Sequence, residues 1–313
     1  MGQEASNIRV NGPLVYIRAN TGEWFYYDVR EQPLGNGAMG TVYFGRSFSN
    51  HRKLVAIKRV SDKMAENPRV RKRAKDESAF AFRHQNMVEM IGYCENHPDK
   101  GPIFIISNLV QGVTLDKHVI TTLNNMPDRV NRIMRCAIPV LDALEYLHGK
   151  EILHMDIKPT NIMVENGRNI RLMDLGIACV STSLDSSKGG LLGTPGYAAP
   201  EQYVEEGQSD LNVSKATDIY ELGATMYDLL SGRKPYSDNK EKLTPIKGVP
   251  PKMMAVLRKA LAKEQGDRYQ TAAEFRQAIQ KAMAGGCGSK KWLLIAGIAL
   301  GVLFIVLLIL LLQ

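Results

Sequence analysis

Asp156, Lys158 and Asn161 place a carboxylate, an amine and an amide in one short loop, His154-Met155-Asp156-Ile157-Lys158-Pro159-Thr160-Asn161. A second carboxylate, Asp174, heads Asp174-Leu175-Gly176, thirteen residues after Asn161. Moving a phosphoryl group off a nucleotide demands such a set. A base must orient the attacking hydroxyl, a cation must offset charge on the moving phosphate, and two oxygen ligands must hold a divalent cation. An isolated aspartate is usually structural; four groups at this spacing are not.

Such groups need elements to carry them. Upstream, Gly35-Asn36-Gly37-Ala38-Met39-Gly40-Thr41-Val42 forms a glycine loop, whose missing Cβ atoms let backbone N–H groups approach phosphates. Val55-Ala56-Ile57-Lys58 follows on a predicted strand, with Lys58 eighteen residues beyond Gly40. Leu14 to Arg18 and Trp24 to Val29 are β-rich runs flanking an Ala19–Glu23 turn, behind a loose tail over 1–12. Val42 to Arg46 and Leu54 to Val60 read as strands, Pro68 to Arg83 as a helix, and Val88 to Cys94 and Ile103 to Ser107 as strands. Asn108-Leu109-Val110-Gln111-Gly112 connects this half to a helical one. There Val130, Ile133, Met134, Ala137, Ile138, Leu141, Leu144 and Leu147 recur at helical spacing behind Pro127. Asp218 to Leu230, Pro251 to Ala262 and Thr271 to Met283 continue the helical half.

Together with Gly193-Thr194-Pro195-Gly196-Tyr197-Ala198-Ala199-Pro200-Glu201, these motifs resemble, in order and spacing, the eukaryotic-type serine/threonine protein kinases, and among them the bacterial transmembrane kinases. The resemblance covers about residues 24–283. It implies an α+β, two-lobed kinase fold with a β-rich N-lobe and an α-rich C-lobe, and ATP with Mg2+ (or Mn2+) as cofactors. Asp156 is then the base or orienting group, Lys158 the cation at the γ-phosphate, and Asn161 and Asp174 the metal ligands. Lys58 contacts the α- and β-phosphates. Leu34, Gly35, Asn36, Gly37, Gly40, Val42, Ala56, Asn108 and Val110 surround the nucleotide. The partner of Lys58 on the next helix is Glu77, with Asp76 as the alternative. Counting back from His84-Gln85-Asn86-Met87-Val88 finds Lys75 at that place, and a two-residue shortening restores Glu77. Thr194 is implied to hydrogen-bond near Asp156 and Lys158. Glu201 and Arg268 correspond to a buried ion pair, and Asp218 to a brace under the catalytic loop.

The chain also departs from the family pattern. Met155 stands where an arginine usually binds a phosphate on the activation segment, and a thioether cannot do that. Activity is therefore expected not to depend on phosphate at Ser181, Thr182, Ser183, Ser186 or Ser187. Leu175 replaces a phenylalanine and keeps an apolar plug. The stretch between Leu230 and Pro251 is short, so a helix that commonly docks substrates is expected to be missing or vestigial. A membrane-anchored pseudokinase scaffold is the alternative, supported by Met155 and by Lys75 at the counted glutamate position but opposed by Lys58, Asp156, Lys158, Asn161 and Asp174. A small-molecule kinase is disfavoured by the Gly193–Glu201 segment.

Trp292 to Leu312 is 21 consecutive residues without a charge. As a helix at ~1.5 Å per residue it would span the ~30 Å bilayer core. Lys290 and Lys291 precede it, so positive charge places the catalytic half in the cytoplasm. The expected organisation is an N-terminal extension with an extra strand (1–23), N-lobe (24–107), hinge and C-lobe (108–283), juxtamembrane linker (284–291) and transmembrane helix (292–312). A tail-anchored, single-pass enzyme follows, with the lipid bilayer as one partner. The linker at ~3.3–3.6 Å per residue keeps the kinase within about 30 Å of the membrane. Membrane-proximal protein substrates and self-association for trans-autophosphorylation are the other expected partners. Net charge is +8, with ten Lys/Arg against Asp62 and Glu66 between Arg52 and Lys75. No nucleic-acid motif accompanies it, so no nucleic-acid partner is expected. Four cysteines without paired spacing suit a reducing compartment.

Overall fold

A computed structural model describes residues 6–37, 39–79, 83–97, 100–122, 125–174, 190–191, 193–204, 212–236 and 243–284. The apolar run 292–312 and the segment 181–187 lie outside the described residues. Among the described residues no helix is long and apolar enough to cross a membrane.

The first half is an antiparallel sheet. Its strands are β1 (Ile8–Asn11), β2 (Leu14–Arg18), β3 (Trp24–Asp28), β4 (Gly35–Gly37), β5 (Gly40–Ser47), β6 (Leu54–Val60), β7 (Met90–Glu95) and β8 (Ile103–Asn108). Their order is β1-β2-β3-β5-β6-β8-β7, with β4 folded back on β5. Alternation places Phe25, Tyr27, Val55, Ile57, Phe104 and Ile106 on a common buried face. The loose tail expected over 1–12 is corrected here: the chain is a strand from Ile8. Asn11-Gly12 supplies the turn, Gly12 adopting φ 56°, and Asn7 ties the strand down by donating from Nδ2 to the Glu95 carbonyl at 3.1 Å.

Helices α1 (Asp62–Ala65) and α2 (Pro68–Ala79) follow β6. Arg71 anchors α2, donating to Glu95 at 3.0 Å and to the His97 carbonyl at 3.1 Å, and Lys75 reaches the same Glu95 at 2.5 Å. Several cations of the Arg52–Lys75 stretch are thus consumed internally. Lys53 pairs with Glu23, Lys58 with Asp174 and Arg59 with Asp62. The strand expected from Val88 begins at Met90. Asn86 and Val88 instead bond the backbone of Leu172, at 2.8 and 3.0 Å, stitching the sheet half to the helical half.

The second half is built on α4 (Met126–His148), after β9 (Gly112–Thr114) and α3 (Leu115–Thr122). Asn125 caps α4 by accepting from the Asp128 N–H at 2.9 Å, and Pro127 sits in the first turn, where no N–H is needed. Its apolar stripe packs with α5 (Lys215–Ser231), α6 (Pro251–Ala260) and a helix over 272–284, burying Leu141, Leu144, Ile219, Leu257 and Phe275 in one core. Gly232, at φ 73°, ends α5 with a left-handed cap. Among the described residues of 232–250 there is no helix; residues 237–242 of this connection lie outside the described residues. Strands β10 (Ile162–Glu165) and β11 (Asn169–Leu172) form a hairpin bounding the loop that carries Asp156, and β12 (Gly190–Leu191) pairs with β13 (Tyr203–Val204).

Candidate active site

A cleft of about 390 Å³ opens between the two halves. Leu34, Gly35, Val42, Ala56, Lys58, Asn108 and Val110 line it, with Met163 and Leu172 from the helical half. Asn36, Gly37 and Gly40 lie along the β4–β5 hairpin, outside the cleft lining. Gly40 is there for a backbone reason. Its φ is 139°, and an added Cβ would sit 2.0 Å from the Arg59 carbonyl oxygen. The side-chain amide of Asn108 is turned away to Glu89, at 2.8 Å.

At the inner end Lys58, 9% exposed, points its ammonium at Asp174, 3.3 Å away. Asp174 holds φ 52°, a left-handed conformation that aims its carboxylate into the cleft. The side chains of Asp76 and Glu77 lie outside the described residues, although α2 carries both positions.

The loop that carries Asp156 is a dense network. Asp156, 2% exposed, accepts from Lys158 Nζ at 2.7 Å and from Asn161 Nδ2 at 3.0 Å on Oδ2. Its Oδ1 accepts the Thr194 hydroxyl at 2.6 Å, and Lys158 Nζ donates to that hydroxyl oxygen at 2.7 Å. Asn161 also donates Nδ2 to the Asp156 carbonyl at 2.9 Å, so its amide oxygen remains for a ligand. That oxygen and the Asp174 carboxylate are hard donors of the type magnesium takes. Among the described residues no cluster of three His, Cys, Asp or Glu side chains forms a metal cage, so such an ion would complete its shell with phosphate oxygens and water.

Three buried side chains of α5 hold this loop from below. Asp218 accepts from the N–H groups of His154 (2.9 Å) and Met155 (2.8 Å) and from His148 Nε2 (2.7 Å). Glu221, one turn on, accepts the Ile157 N–H at 2.8 Å and Gln202 Nε2 at 2.9 Å. Thr225 donates its hydroxyl to the Ile157 carbonyl at 3.0 Å. Burial, with the Asp218 charge beside it, pushes the Glu221 carboxyl well above its usual range. His154 is fully buried, and burial pushes its imidazole down against the pull of Asp218. It is therefore neutral, with Nε2–H donating to the Met173 carbonyl at 2.9 Å and Nδ1 accepting the Asp156 N–H at 3.3 Å. Met155 sits between these anchors at φ 63°. Its role is played by the backbone, the carbonyl accepting from Gln202 at 3.3 Å.

Sequence reasoning found Asp218 but missed Glu221, Thr225 and Gln202. For Glu221 and Thr225 the spacing of three and seven residues from Asp218 was the available signal, since it places them on one helix face, whereas Gln202 lies outside that helix. Arg268, its side chain wholly buried, reaches Glu201 with two parallel bonds of 2.7 and 2.8 Å.

A model of the protein kinase domain family matches residues 28–284. The chain is 32% identical over 272 residues to serine/threonine-protein kinase PknB of Mycolicibacterium smegmatis, covering 80% of this chain and 42% of that protein. It is 28% identical to serine/threonine-protein kinase PknD of Chlamydia pneumoniae, over 83% of this chain and 31% of the relative. The chain thus spans about two fifths or less of the length of these relatives. In fold it matches the PknI kinase domain of Mycobacterium tuberculosis with a TM-score of 0.63 and 24% identity, covering 90% of this chain and 100% of that domain. The cleft, the loop beneath it and the match along nearly the whole described region agree, and the chain belongs to the protein kinase family.

Proposed function

We propose that this protein is an ATP-dependent serine/threonine protein kinase held at a membrane by residues 292–312. One observation carries the catalytic part. Asp156, Lys158 and Thr194 share one hydrogen-bonded cluster at the base of the cleft, with Asn161 bonded to the same carboxylate.

In this reading the nucleotide lies between Leu34, Val42 and Ala56 above and Met163 below, with Lys58 at its phosphates. Asn161 and Asp174 would hold magnesium, which supplies charge neutralisation of the phosphates. Asp156 accepts a hydrogen bond from the substrate hydroxyl and aligns it. The hydroxyl oxygen bonds to the γ-phosphorus as the bond from that phosphorus to the β,γ-bridging oxygen breaks. ADP leaves with the bonding electrons, and the hydroxyl proton passes to Asp156 and on to solvent. Lys158 offsets charge on the moving group. Glu77 completes the Lys58 site.

The apolar run and the lysines before it support anchoring with the kinase lobes (24–107 and 108–283) cytoplasmic and the linker 284–291 between them and the bilayer. Confinement near the membrane raises the effective concentration of membrane-bound substrates and of other copies, which favours trans-autophosphorylation.

The test uses the full chain in detergent with labelled ATP and magnesium, beside Asp156→Ala. Phosphoserine and phosphothreonine on the protein and on a basic acceptor protein, absent in the variant, are expected. Equal labelling of both proteins would refute the assignment of Asp156. No labelling with nucleotide binding intact would favour the scaffold alternative. Deleting 285–313 should release the protein from carbonate-washed membranes.

A further inference from the structure

Beside the catalytic cluster lies a charged corner that the chemistry above does not use. Thr194, whose hydroxyl meets Asp156, opens a tight turn in which the N–H groups of Tyr197 and Ala198 donate to its carbonyl at 3.1 and 3.0 Å. A peptide offering its hydroxyl to Asp156 must therefore pass along residues 194–197. The Tyr197 hydroxyl donates to Asp228 Oδ2, on the last turn of α5, at 2.7 Å. Burial, with the Asp228 bond, pushes that phenol far up, so it remains a donor.

Asp228 would attract a cation of the substrate, but the chain supplies its own. The left-handed cap at Gly232 reverses the backbone so that Lys234 returns along the helix end. Its Nζ lies 2.7 Å from Asp228 Oδ2 and 4.0 Å from the centre of the Tyr197 ring. Its stem lies flat on the turn: a Cβ at Gly196 would come within 2.8 Å of Lys234 Cγ. Ion pair, ring face and stem packing all hold it in place. The Asp228 side chain is only 17% exposed and that of Lys234 is 38% exposed, so the lysine forms the face that solvent and substrate meet. Asp116, at the start of α3, adds negative charge near Tyr197, and its Oδ1 is buried without a hydrogen-bond partner. Without Lys234 the Asp228 carboxylate would lose its paired cation, with the Asp116 charge nearby.

We propose that Lys234 is a specificity-determining residue: by filling the Asp228–Tyr197 corner beside Thr194 it removes the selection for Arg or Lys in protein substrates that those carboxylates would otherwise impose. The inference rests on the kinase assignment above.

The test measures kcat/KM of the full chain in detergent on peptides with one Ser or Thr. Arg, Ala or Glu is placed at each flanking position in turn. Wild type should show no preference for Arg over Ala at any position. Lys234→Met keeps the stem on Gly196 and removes the charge, and should raise the Arg-to-Ala ratio about 10-fold at one position. Adding Asp228→Asn should return the ratio to the wild-type value, and Lys234→Arg, which refills the corner, should keep it there. A wild type that already selects Arg overturns the proposal. So does a Lys234→Met ratio that stays flat while the alanine peptide is phosphorylated, and the kinase assignment then still stands. No transfer to any peptide overturns both.

Discussion

Replacing Asp218 by Asn isolates what the brace under the catalytic loop contributes. The carboxylate accepts three hydrogen bonds, two from consecutive backbone N–H groups, and is itself fully buried. Asparagine keeps the shape but turns a donor toward at least one of these donors. Losing one hydrogen bond to a charged group costs about 1.5–3 kcal/mol. The bond to Met155 matters most, because that residue sits at φ 63° and left-handed backbone costs a non-glycine residue about 1–2 kcal/mol. With the carboxylate present the bond outweighs the strain. Without it the backbone is free to relax, and Asp156, the next residue, turns with it. A displacement of about 1 Å at a reacting group costs on the order of 100-fold. We expect kcat to fall about 10- to 100-fold, or ~1.4–2.8 kcal/mol in barrier. The KM for ATP should stay within about twofold, since uniform nucleotide binding is unaffected; Leu34, Val42, Ala56 and Val110 line the cleft from other elements. The assay is initial-rate phosphorylation at a temperature where circular dichroism shows both proteins folded. Met155→Gly in the Asp218→Asn background should recover activity, because glycine adopts this conformation without strain. A kcat for Asp218→Asn within twofold of wild type would refute the reasoning.

Arg268→Met leaves Glu201 and the carbonyls of Ala216, Ala262 and Lys263 without their donor. Breaking such a buried pair costs about 3–5 kcal/mol, and a thermal melt should fall by roughly 6–20 °C. Burial raises the Glu201 carboxyl but Arg268 and Thr217 outweigh it, holding the group below the usual carboxylate range. The contribution of the pair is therefore full above pH about 4.3 and is lost as pH falls below it. Urea midpoints across that window should show the loss in wild type and not in Arg268→Met. Gly40→Ala should weaken ATP binding at least about 10-fold by equilibrium titration, because its Cβ would meet the Arg59 carbonyl and force the β4–β5 hairpin open. Alanine at Ser181, Thr182, Ser183, Ser186 and Ser187 together should leave activity within about 10-fold, since Met155 offers a phosphate no charge-assisted donor; a larger loss sinks that idea.

Asp156, Lys158 and Asn161 were legible in the amino-acid order because they fall within six residues of one loop and their chemistry is local. The two halves were legible for a similar reason. Alternation marks Trp24–Asp28 and Leu54–Val60, and helical spacing marks Met126–His148. Ile8–Asn11 escaped because its strand is polar and exposed, and only Asn11-Gly12 announced the hairpin. What the tertiary structure alone decided is which distant groups complete the site. Thr194 meets Asp156 across 38 residues, Met155 meets Asp218 across 63 and Ile157 meets Glu221 across 64. Lys234 meets Asp228 across only six, yet the contact exists because a left-handed cap folds the chain back and a tyrosine ring lies underneath. Periodicity records which face of an element turns inward. The choice of hydrogen-bond partner is made by burial, where a polar group withdrawn from water must find a donor or acceptor among whatever the packed chain brings near.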